Sequence, residues 1–110
     1  MKTEQPILTT SIPATAALTA RRFVTTVGAV PAAGAKVLGV ANAGYDAGEQ
    51  AGVGVLGIFL VEAGAAVAAD ANVETDVSGR AITLAAGVDC GRAMDAASAA
   101  GQFIRVVRGI

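Results

Sequence analysis

Glycine limits the length of every element this chain can build. Fourteen glycines are spread through 110 residues, and beyond Arg22 they cut the sequence into short apolar runs. Isolated helices shorter than about 12 residues are marginal in water, whereas runs of this size between turn residues suit strands. Residues 23–27 form a β-branched run closed by Gly28 and Pro31. Residues 36–41 form a second, ended by a loop carrying Gly44, Asp46 and Gly48. Residues 53–61 form a third, residues 73–76 and 80–84 flank a Val77-Ser78-Gly79 turn, and residues 88–97 and 103–107 make a last pair. Alanine-rich stretches at 14–22, 62–71 and 92–100 leave room for at most one or two helical turns. The expected fold is therefore all-β, a compact β-barrel or sandwich-like domain.

The third run is unlike the others. Val53 and Val55 alternate with glycines, Gly57 interrupts, and then Ile58, Phe59, Leu60 and Val61 are apolar on both faces. A glycine inside a strand marks a bulge, and a strand apolar on both sides has to be covered on both. Ile58, Phe59, Leu60 and Val61 are accordingly the expected subunit interface. The segment 51–69 holds Glu62 as its single ionisable residue but is mostly glycine and alanine and has no flanking basic cluster, which argues against a membrane span.

Residues 1–20 have a different character, rich in threonine, with Pro6 and Pro13 and no clear period. They read as an extended N-terminal arm to a single β-rich domain at 21–110. Ile7, Leu8, Ile12 and Leu18 give the arm apolar anchors, so it either lies on a partner or packs on its own domain as an edge strand. The start also lacks a secretion signal, which makes the cell interior the expected site.

Composition narrows the function. The chain is 54% hydrophobic but only 4% aromatic and 15% charged, so small side chains supply the core. At about 25 cal/mol per Å² of buried apolar surface such a core is thin, and a neighbouring subunit is expected to complete it. A net charge of −1 disfavours wrapping nucleic acid, which requires many cations against phosphates. Histidine is absent, which removes the commonest general base and metal ligand. Cys90, with Asp89 before it and Arg92 after, reads as a small buried hydrophobe, because no histidine is there to activate it. The acidic run from Asp70 to Asp76 lacks the glycine and glutamate that a calcium loop needs and reads as a solvated edge. Gly52, Gly54 and Gly57 reproduce a dinucleotide-loop spacing but run into strand residues. Arg21 with Arg22 and Arg105 with Arg108 are the basic pairs, either solvated or facing an acidic partner. No catalytic residue, metal or cofactor is expected.

Two resemblances add to this. Residues 61–76 resemble the hairpin of lipoyl and biotinyl carrier domains, but Val77 stands where those domains carry the acylated lysine, which rules out a carrier. More of the chain, from about Arg21 onward, resembles the small decoration or cement proteins of tailed-bacteriophage capsids. That likeness rests on Lys36-Val-Leu-Gly-Val-Ala, on the glycines from Gly48 to Gly57, on Asp76-Val-Ser-Gly-Arg and on Gly91-Arg-Ala-Met-Asp. It implies a non-enzymatic structural protein, usually a homotrimer, on the outer surface of the virion and in the host cytoplasm during assembly. The major capsid protein would be its partner, with Ile7, Leu8, Arg21 and Arg22 as the expected contact. A β-barrel module of another phage assembly, such as a tail part, and a recombination-associated factor are the alternatives.

Overall fold

The structure is a computed structural model and describes residues 3–109. Eight strands follow in order: β1 (Gln5–Pro13), β2 (Phe23–Val24), β3 (Gly39–Ala41), β4 (Gln50–Glu62), β5 (Asn72–Thr75), β6 (Ala81–Thr83), β7 (Gly91–Ala93) and β8 (Phe103–Arg108). No helix forms among the described residues, so none is long and apolar enough to cross a membrane. All pairings between strands are antiparallel, in the order β2-β3-β4-β8-β7-β5-β6, with β1 laid along β4. The two ends of this order nearly meet. The Phe23 N–H donates to the Gly79 carbonyl at 2.7 Å, Gly64 N–H to Ala81 at 2.8 Å and Glu62 N–H to Arg21 at 2.9 Å. The result is an almost closed barrel, which leaves few free strand edges.

β4 is the trunk of the fold, because its 13 residues pair with β1, β3 and β8. Its alternation changes phase midway. Pro6 faces Gly57 and Leu8 faces Leu56, then Thr9 faces Gly54, so Ile7 on β1 and Val55 on β4 are each skipped. An extra residue on a strand reverses which side chains face inward. Before the bulge Ala51 and Val53 enter one core while Gly54 lies against the Phe59 ring; after it Phe59 and Val61 enter the other. Gly57 permits the bend, with φ +121° and its α-carbon side pressed on the Gln5 carbonyl. A side chain there would be strained and obstructed.

The bulge divides the interior. The main core inside the barrel gathers Phe23, Val40, Phe59, Val61, Ile104 and Val106 with several alanines. A second, smaller core joins Ala14, Leu18, Val24, Ala41, Ala51 and Val53. Neighbouring residues therefore serve opposite sides: Phe23 and Val40 the first core, Val24 and Ala41 the second. This explains why β2 and β3 are buried along their whole length.

Two expectations need correction. β2 stops at Val24 rather than running to residue 27, because Thr25 opens a turn: its carbonyl accepts from Gly28 N–H at 3.1 Å and its hydroxyl from Ala29 N–H at 3.2 Å. β5 is not a solvated edge. It lies between β7 and β6, and Glu74 and Thr75 are buried. The Glu74 carboxylate tolerates burial because it accepts the N–H groups of Ala85 at 2.5 Å and Gly87 at 3.3 Å, hydrogen bonds that stand in for water.

Candidate interaction surface

The N-terminal strand is the most exposed element of the molecule. Ile7, the skipped residue of β1, is 82% exposed and Leu8 is 47% exposed. Across the strand pair, Leu56 and Ile58 of β4 and Val107 of β8 line an open apolar groove with Ile7, of about 340 Å³. Ile58 and Val107 face each other directly in the β4–β8 ladder.

Of the four residues expected at a subunit interface, Phe59 and Val61 point into the main core, 4% and 0% exposed. Ile58 and Leu60 lie on the outer face of β4 and are half-buried. The bulge causes this split, since it sets the odd-numbered residues of the second half of β4 inward.

Arg21 and Arg22 sit at the seam of the barrel. Arg21 has φ +64°, a backbone state that a non-glycine residue adopts only when its surroundings hold it there. Its carbonyl accepts from Glu62 N–H, its own N–H donates to Ala41 at 2.9 Å, and its guanidinium meets the Glu4 carboxylate at 2.7 Å. Glu4 thereby ties Arg21 to the start of β1, three residues before Ile7. Arg22 joins a different group, bonding Glu62 at 3.1 Å; Glu62 also meets Arg80 at 3.7 Å, and Arg80 bonds Asp76 at 3.2 Å. Both arginines are thus ion-paired within the chain and part-buried, not fully solvated.

The remaining candidates are engaged structurally. Cys90 is 3% exposed, its S–H aimed at the Val88 carbonyl at 3.5 Å. Burial pushes its thiol pKa up, with partial relief from the Arg108 charge, so the thiolate that a nucleophile needs is disfavoured. Arg92 turns away to Asp70, at 2.9 Å. The acidic run disperses. Asp70 holds Arg92, Glu74 holds the loop after β6, and Asp76 shapes the hairpin by accepting from Ser78 and Arg80 N–H, both at 2.8 Å. Among the described residues no three of Asp, Glu, Cys and His converge as metal ligands. Val77 is 71% exposed on the turn between β5 and β6. A second groove of about 540 Å³ runs past Asp89, Cys90, Arg92 and Arg108. Its charged groups are already used: Asp89 accepts from Gly91 N–H at 3.0 Å, Arg92 pairs with Asp70, and Arg108 is held by carbonyls.

In the sequence, Arg108 is only half of a basic pair. Its guanidinium donates to the carbonyls of Leu38 at 2.7 Å, Val55 at 2.8 Å and Cys90 at 2.8 Å. Burial lowers its pKa. Arg105, its supposed companion, instead forks onto Asp95 at 2.9 and 3.0 Å. A basic residue on an otherwise alternating strand is a weak signal, and nothing in the sequence announces that three distant carbonyls converge on it.

The family model for phage cement proteins matches residues 1–108 of the chain. Among solved structures, the fold is similar to that of the head fiber gp8.5 N base in bacteriophage phi29, with a TM-score of 0.76, 21% identity and 93% of each chain covered. At that identity the likeness is one of fold. No curated protein matches the chain.

Proposed function

The chain belongs to the phage cement protein family, and from that premise we propose that it decorates the outer surface of the phage head as an oligomer, probing neighbouring major capsid subunits and bridging them. The match over residues 1–108 is the observation that carries this reading. The exposed apolar patch of Ile7, Leu8 and Leu56 supports it by offering a surface that gains from being covered. Three copies in a ring would engage three sites at once, and linked binding raises avidity by about 10² to 10⁴ over one site. Bound this way, the ring would hold adjacent capsid subunits together against the pressure of packaged DNA. The role is mechanical and needs no catalytic residue, cofactor, nucleic acid or membrane. It places the protein on the virion, and in the host cytoplasm while heads assemble.

Ile7 and Leu8, together with Arg21 and Arg22, form the proposed capsid contact. Ile58 and Leu60, on the outer face of β4, form the proposed contact between subunits. The test is co-sedimentation with empty expanded heads. Saturable binding is expected, weakened by Ile7→Asp and Leu56→Asp. Failure to bind heads at low salt would overturn the proposal. Point variants are the right tool, because deleting residues 1–20 would also remove Ala14 and Leu18 from the second core.

A further inference from the structure

β1 pairs with β4 on one side, which leaves its other edge open. Which backbone groups occupy that edge follows from the ladder. Ala14 N–H donates to the Glu49 carbonyl at 2.8 Å, continuing the β1–β4 pairing by one residue. Hydrogen-bonded positions alternate along an antiparallel pair. Ile12 and Thr10 therefore direct their backbone groups to β4, while Thr9 and Ser11 direct theirs outward. Both outward residues are exposed.

Folded proteins protect such edges with charge, proline or a bulge. Here the protection is confined to the ends: Pro6 and the Ile7 bulge at one, Pro13 at the other. Between Gln5 and Pro13 there is no charged side chain. The unprotected segment, Leu8-Thr9-Thr10-Ser11-Ile12, also reads nearly alike in both directions. Turned by a two-fold axis through Thr10, it sets Thr9 opposite Ser11 and Leu8 opposite Ile12. The outward groups of Thr9 then meet the outward groups of Ser11, donor to acceptor, and hydroxyl and aliphatic side chains meet their own kind, pairings that favour adjacent strands. With no charge on the edge, identical copies do not repel.

We propose that the free edge of β1 pairs antiparallel with the same edge of a second copy, about a two-fold axis at Thr10. This contact goes beyond the head-binding reading and does not depend on it. An isologous contact of this kind closes on itself, so it joins two copies, or two rings of copies, and leaves the Ile7 side chain uncovered.

The geometry gives a direct test. Thr10 and its symmetry mate would form a non-hydrogen-bonded pair with α-carbons about 4.5 Å apart, within the range that a disulfide spans, about 4.4 to 6.8 Å. In a Cys90→Ala background, Thr10→Cys is expected to convert under mild oxidation to a covalent dimer of twice the mass on a non-reducing denaturing gel. Val77→Cys, exposed on the β5–β6 turn, is the control and is expected to stay single. Adding Thr9→Lys and Ser11→Lys to Thr10→Cys sets like charges across the axis and abolishes the dimer. Mixing that variant with the Thr9→Glu, Ser11→Glu counterpart restores it. These lysines lie at exposed positions, so circular dichroism should be unchanged. Absence of a Thr10→Cys dimer, equal dimer from Val77→Cys, or a dimer that survives the lysines would each overturn the proposal. If Thr10→Cys stays single while the lysine pair abolishes head binding, the edge takes a capsid segment and self-pairing is overturned.

Discussion

The carboxylate of Glu4 accepts the backbone N–H of Leu60 at 2.9 Å. A side chain thus takes the backbone donor of β4 that an extension of β1 would have met. The other carboxylate oxygen holds Arg21 at 2.7 Å, so one residue fastens the N-terminal strand to both β4 and the barrel seam. Glu4→Gln keeps the shape and removes the charge. It should lower unfolding stability by about 1 kcal/mol, since a charge-assisted hydrogen bond is worth more than a neutral one but this pair is partly solvated. Urea denaturation gives the stability, and faster amide exchange at Leu60 would localise the loss.

Arg108 holds three separate segments by their carbonyls, at Leu38, Val55 and Cys90. Arg108→Met keeps most of the aliphatic stem and leaves those acceptors unmet. A loss of about 2–4 kcal/mol is expected. Arg108→Lys should recover only part of it, because an ammonium cannot copy a planar fork. Equal stability of the lysine variant and the wild type would contradict this account.

Cys90 adds a pH dependence. Burial raises its pKa above the ordinary 9.0, so the folded state favours the neutral thiol. The contribution is fully present below about pH 8, where the thiol is protonated folded or unfolded. As pH rises further the unfolded chain ionises first, and stability falls until the folded pKa is reached. The difference in stability between the wild type and Cys90→Ala should therefore be flat up to about pH 8 and shift against the wild type above it. Slow reaction of native Cys90 with a thiol reagent is the companion expectation.

Gly54 lies against the ring of Phe59, and an added methyl group would overlap it. Gly54→Ala should destabilise by about 1–3 kcal/mol through overpacking. Phe59→Leu alone should also destabilise, yet the double variant should be more stable than the sum of the two losses predicts, a coupling that a double-mutant cycle measures.

Much of the sheet was legible in the sequence because glycine and turn residues bracket nearly every strand. Residues 53–61 foreshadowed β4 and residues 103–107 foreshadowed β8, each within a few residues of the observed bounds. The interruption at Gly57 marked the bulge. Its consequence was not legible: whether Phe59 faces in or out depends on the partner residues that β1 skips, and pairing is not written in local pattern. The same limit hid the burial of Glu74, which depends on amides contributed by Ala85 and Gly87. Ile7 and Leu8 stood out as apolar anchors of the arm, but their exposure was not legible, and Leu56 and Val107 became their neighbours only through the β1–β4 and β4–β8 registers. For Arg21 and Arg22 the charge was visible, but not Glu4 and Glu62, 17 and 40 residues away.

The position of β8 between β4 and β7 bears on how the chain is born. Strands made early cannot complete the sheet among themselves, because the fourth and the seventh both wait for a strand that leaves the ribosome after them. The barrel therefore closes only once residues 103–108 have emerged, and Arg108, at the end of that strand, arrives last to draw Leu38, Val55 and Cys90 together. Assembly on a head would then begin with a finished domain, and a chain stalled before Phe103 would offer the cell an open sheet in its place.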